Sequence, residues 1–74
     1  MSYTIRYTAE DYLGKVESHS YIRETIEDAL TLFDNVWSTL RSEYYYCYMY
    51  RNVYVVVMDG EKIIDEYFLS DTEE

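Results

Sequence analysis

His19 and Cys47 are the two side chains in this sequence best suited to general-base or nucleophilic chemistry, and each stands alone. His19 lies in a Ser-His-Ser stretch and Cys47 in the middle of a tyrosine run. A solvated imidazole and a buried, inert thiol account for them without catalysis. No Cys/His grouping has metal-ligand spacing, and no glycine-rich phosphate loop, HExxH or GxSxG occurs. Two carboxylate pairs remain, Asp65 with Glu66 and Asp59 with Glu61. Neighbouring strand residues point to opposite faces, so the first pair cannot act together, and the second flanks a hairpin turn. The expectation is a chain with no catalytic residue, no metal site and no cofactor, and therefore not an enzyme.

Charge carries the stronger signal. Fifteen acidic side chains against six basic ones give a formal charge of −9, which argues against direct binding to nucleic acid or to an anionic membrane surface. A cationic protein partner is expected instead, although an acidic balance also keeps a small tyrosine-rich chain soluble. The acids form two groups: Glu24, Glu27, Asp28 and Asp34, then Asp59, Glu61, Asp65 and Glu66. Asp71, Glu73 and Glu74 follow in a tail expected to fray from about residue 69. The eleven tyrosines invite a base-stacking reading, but the scattered basic residues oppose it. Tyr44, Tyr46, Tyr48 and Tyr50 read as an aromatic docking or dimerisation surface, since tyrosine is enriched at protein interfaces.

The elements that must hold these groups are legible from periodicity. Tyr3, Ile5 and Tyr7 alternate with polar residues as a strand with one apolar face. Glu10 to Gly14 reads as a turn with Gly14 in the left-handed conformation. Lys15 to Ile22 reads as a polar edge strand, with Val16, Ser18, Ser20 and Ile22 on one face and Lys15, Glu17, His19 and Tyr21 on the other. Thr25-Ile26-Glu27-Asp28 has the form of a capping box. From it Ile26, Ala29, Leu30, Phe33, Val36, Trp37 and Leu40 follow at helical spacing, predicting a helix of about 16 residues closed near Arg41, with Phe33 and Trp37 on the sheet. Glu43 to Phe68 reads as three more strands joined at Arg51-Asn52 and Asp59-Gly60. Those turns place Tyr45, Cys47, Met49, Tyr54, Val56, Met58, Ile63 and Tyr67 on one face, expected to lie under the helix. The ladder of Tyr44, Tyr46, Tyr48 and Tyr50, with Val53, Val55, Val57, Ile64 and Phe68, would then face outward.

The sequence thus predicts an α+β fold of one small domain over residues 1–74: an antiparallel sheet in the order β-β-α-β-β-β with one amphipathic helix on one face. A single cysteine, no signal peptide and no long apolar span point to a cytoplasmic protein without a membrane partner. With its acids gathered over Glu24 to Asp34 and Asp59 to Glu74, the chain resembles in kind the small acidic inhibitors made by phages and mobile elements, anti-CRISPR proteins among them. Those proteins are united by role rather than by sequence. The resemblance implies an inhibitor in the cytoplasm of a host cell, occupying by DNA mimicry the basic surface of a nucleic-acid-handling protein or complex. The alternative is a homodimer or larger assembly built through the tyrosine face.

Overall fold

A computed structural model describes residues 2–70. Its elements are β1 (Tyr3–Asp11), β2 (Val16–Arg23), α1 (Ile26–Tyr45), β3 (Tyr50–Asp59) and β4 (Lys62–Ser70). The four strands form one antiparallel sheet in the order β2-β1-β3-β4, so the polar β2 is an edge as its pattern predicts.

Local chemistry explains the boundaries. In the β1–β2 turn, Asp11 Oδ1 accepts from the backbone N–H groups of Leu13 and Lys15, each at 2.9 Å. Gly14 takes φ +89° there, a conformation that costs a residue without a Cβ very little. Thr25 caps α1: its Oγ1 accepts from the Asp28 N–H at 3.1 Å, satisfying one of the donors that a helix start leaves unpaired.

One face of the sheet lies under α1. Ile5, Val55 and Val57 pack on Ala29 and Phe33, while Ala9, Tyr50 and Val53 pack on Leu40. The helix therefore runs back along the two central strands, with its start over Val57 and its end over Tyr50. Phe33 and Trp37 meet the sheet as expected, both stacked on Tyr67 of β4 at 5.3 and 5.0 Å between ring centroids. Phe33 is fully buried and Trp37 half-buried; burying a side chain like Phe33 contributes about 1.5–3 kcal/mol.

Several expectations are corrected. The sheet has four strands, in the order β-β-α-β-β, and the ladder of Tyr44, Tyr46, Tyr48 and Tyr50 is not a strand. Tyr44 and Tyr45 close the helix, Tyr46 is its C-cap, Tyr48 sits in the following loop at φ +54°, and Tyr50 opens β3. The helix has 20 residues and no basic side chain in its last turn, so Arg41 does not close it. Helical spacing wins over β propensity because Tyr44 continues the inward stripe and packs with Leu40, Ala9 and Val53.

The second correction is Cys47, which lies exposed in the loop rather than buried in a strand. The third is the choice of face: Val53, Val55 and Val57 are covered, and Tyr54, Val56 and Met58 lie on the open side. In the β3–β4 hairpin Asp59 pairs with Lys62 and the loop is Gly60-Glu61, one residue later than the Asp-Gly reading. Ile64 is then an extra residue opposite the Val57–Met58 step, and this bulge returns Tyr67 to the covered face beside Val55. Of the tail expected to fray from about residue 69, Leu69 and Ser70 belong to β4, and Asp71, Glu73 and Glu74 lie outside the described residues.

Candidate functional site

The fold gathers part of the acidic set at one end. Chain direction brings the end of β2 and the start of α1 to the same end of the sheet as the β3–β4 hairpin. Glu24, Glu27 and Asp28 therefore share that end with Asp59 and Glu61. All are exposed except Asp59, which is half-buried. Among the described residues no hydrogen bond or ion pair ties any of these five carboxylates. Glu27 and Asp28 occupy the first helical turn, where the positive pole of the helix favours negative charge. Arg23 and Lys62 stand at the same end, so it is acidic without being uniformly so.

The remaining acids of the expected set are placed elsewhere. Asp34 is exposed farther along the helix. Asp65 and Glu66 point to opposite sides of β4, as strand geometry requires. The Asp65 carboxylate accepts from the Glu66 N–H at 2.9 Å, and Glu66 Oε1 accepts from the Tyr54 hydroxyl at 2.6 Å. That bond, with burial and the Glu66 charge behind it, holds the Tyr54 hydroxyl above the ordinary tyrosine range, while Arg6 acts in the opposite direction. The four tyrosines of the expected ladder do not share a surface: Tyr44 packs inward against the cluster of Ala9, Leu40, Tyr50 and Val53, Tyr46 is exposed at the helix C-cap, Tyr48 is exposed in the loop, and Tyr50 is buried.

The open face of the sheet is mixed. Val16, Ile22, Ile63 and Phe68 are exposed on it. Between them runs a polar lattice: Arg6 Nε donates to Ser20 Oγ at 3.4 Å, Asn52 Nδ2 to Glu10 Oε1 at 2.7 Å, and Ser70 Oγ to Asn52 Oδ1 at 2.6 Å.

Under the C-terminal half of α1, a cleft of about 360 Å³ opens between the helix and the β1–β2 side of the sheet. Tyr7, Tyr21 and Tyr50 line it from the sheet, and Asn35, Thr39 and Glu43 from the helix. Beside it the Tyr50 hydroxyl donates to Glu17 Oε1 at 3.5 Å, and the His19 ring lies tilted against Tyr7 with centroids 5.2 Å apart. Burial first, then the charges of Glu17 and Glu43, raise the hydroxyl pKa of Tyr50; Tyr7 is raised by burial, Tyr21 and the same two carboxylates. Sequence reasoning passed over this site. The period-2 pattern puts Glu17, His19 and Tyr21 on one face of β2, but only the register with β1 and the choice of covered face bring them to Tyr7 and α1.

Among the described residues there is no group of three or more His, Cys, Asp or Glu side chains that could hold a metal ion. Nor is any helix among them long and apolar enough to cross a membrane. No family model, no curated protein and no solved structure matches the chain.

Proposed function

We propose that this protein is a non-catalytic binding module whose acidic end occupies a basic groove on a nucleic-acid-handling partner. The observation that carries the reading is the convergence of Glu24, Glu27, Asp28, Asp59 and Glu61 at one end of the fold, free of internal pairing among the described residues. Carboxylates already tied to internal cations would have little to offer a partner. These can each accept charge-assisted hydrogen bonds from Arg or Lys, and their field speeds encounter with a basic surface. Phosphates on duplex DNA follow one another at about 1.7 Å of axis per charge, so a groove built for them accepts a dense anionic surface. Inhibition by exclusion of DNA is the sharp form of this reading.

The test is retention of partner from the native host by the immobilised protein, compared with the Glu27→Lys/Asp28→Lys/Asp59→Lys/Glu61→Lys variant. The expected result is a retained nucleic-acid-binding protein, released by added DNA and by salt, and bound at least about ten-fold more weakly by the variant, equivalent to 1.4 kcal/mol. A partner that binds DNA and this protein together, or that ignores the four reversals, overturns the reading.

A second reading, self-association, is favoured by Val16, Ile22, Ile63 and Phe68 on the open sheet face rather than by the tyrosine ladder that first suggested it.

A further inference from the structure

The cleft under the C-terminal half of α1 has walls of a particular chemistry. Tyr7, Tyr21 and Tyr50 contribute three aromatic rings, and Val36 and Leu40 an apolar floor beside them. Glu43 reaches the same space from the helix, and Glu17 is hydrogen-bonded to the Tyr50 hydroxyl at its margin. Among the described residues no Lys or Arg lines it. We propose that this cleft binds an organic cation, an alkylated ammonium or a guanidinium on an apolar stem, with the charged head among the three tyrosines and the Glu43 carboxylate.

Four features act in the same direction. Ring faces attract a cation through their quadrupole, more strongly when the pair is desolvated. Carboxylates at Glu43 and Glu17 add a negative potential, and both raise the hydroxyl pKa values of Tyr7 and Tyr50. The cleft lies beside the last turns of α1, where the carbonyl pole of the helix favours positive charge and no basic side chain occupies the final turn. A volume of about 360 Å³ suits a small organic head group and its stem. A bare metal ion is a poor match, because phenols and one or two carboxylates give too few hard ligands. An anion would meet two carboxylates with no cation to offset them.

The head group could belong to a free amine or to a Lys or Arg side chain of another protein, so the test carries both arms. Choline and spermidine represent the free amines, and the blocked peptides Ac-Gly-Lys-Gly-NH2 and Ac-Gly-Arg-Gly-NH2 the side chains. The neutral isostere 3,3-dimethyl-1-butanol controls for an apolar slot. Titrations are followed by NMR of the Tyr7, Tyr21 and Tyr50 rings and of the Asn35 side chain. At least one cation is expected to shift these signals saturably while the isostere leaves them in place. Glu43→Gln should weaken that cation about ten-fold, and Tyr21→Leu by a comparable factor. Both positions are only half-buried, and a melting curve like the parent's shows that each variant is folded. The arm that saturates at the lower concentration identifies the source. Equal shifts from the isostere, indifference to Glu43→Gln in a folded variant, or no saturable shift from any of the four cations overturns the proposal. Glu27→Lys/Asp28→Lys at the other end of the helix should leave these titrations unchanged, so failure here and failure of the acidic-end reading are separable.

Discussion

Tyr7, Tyr50 and Tyr54 hold their hydroxyl protons more tightly than free tyrosine, and the reasons differ. Burial leads for Tyr7 and Tyr50, with Glu17 and Glu43 adding charge, whereas the hydrogen bond to Glu66 leads for Tyr54. Each folded pKa lies above the ordinary value of 10.0. In the pH range below that value both folded and unfolded chains keep these protons, and the contribution to stability is complete. As pH rises past it the unfolded chain releases protons first, so unfolding becomes more favourable until the folded groups also ionise. The urea midpoint should therefore fall between about pH 9.5 and about pH 11. Tyr50→Phe and Tyr54→Phe, which keep the rings and remove the hydroxyls, should each make that fall shallower. Phenolate absorbance followed in parallel locates the ionisation. A midpoint that declines equally in parent and variants would place the alkaline sensitivity in other groups.

At the scale of elements, what could be read from the sequence was set by how local the deciding interaction is. While the turn read at Glu10 to Gly14 lies at Asp11 to Lys15 because β1 extends to Asp11, β1 itself, the polar edge β2 and the start of α1 all depend on neighbours within a few residues and lie where the pattern puts them. The helix end does not. Five tyrosines among residues 44–50 favour a strand by propensity, but in the helix Tyr44 packs against the cluster of Ala9, Leu40, Tyr50 and Val53, which draws on strands that no local pattern contains. The covered face differs from the expected one for a related reason: its assignment follows from a turn at Arg51-Asn52, where β3 instead continues, with Arg51 as an extra residue in the register against β1. The bulge at Ile64 then changed sides once more. The candidate cleft was hidden by the same two errors, because it exists only where β2, β1 and the far half of α1 meet. One local feature bears a direct test. Thr25→Ala removes the oxygen that accepts from Asp28 N–H and should cost about 1 kcal/mol. Thr25→Ser should restore most of it in urea denaturation, and equal behaviour of the two variants would mean that the cap contributes nothing measurable.

For the whole molecule the deciding fact is that one helix covers one face of a four-stranded sheet. The other face keeps Val16, Ile22, Ile63 and Phe68 exposed, with Phe68 68% accessible. These apolar groups stand toward the corners of the face, with Tyr54, Val56 and Met58 of β3 and the hydrogen-bonded Arg6, Ser20, Asn52 and Glu10 between them. A continuous apolar patch would need a permanent cover. An interrupted one can be left in water and still associate when concentrated, and a net charge of −9 on each copy opposes that association at low salt. Self-association should accordingly strengthen as ionic strength rises, since screening shortens the Debye length from about 30 Å at 0.01 M to about 8 Å at 0.15 M. Binding through the acidic end to a basic partner should weaken over the same range. Sedimentation equilibrium at low and physiological salt separates the two behaviours, with Phe68→Glu as the control for the sheet face. A dimer that forms at physiological salt and is lost in Phe68→Glu would establish pairing through the open face. A monomer under both conditions, unchanged by Phe68→Glu, removes the self-association reading and leaves the acidic end and the tyrosine cleft as the proposed binding surfaces.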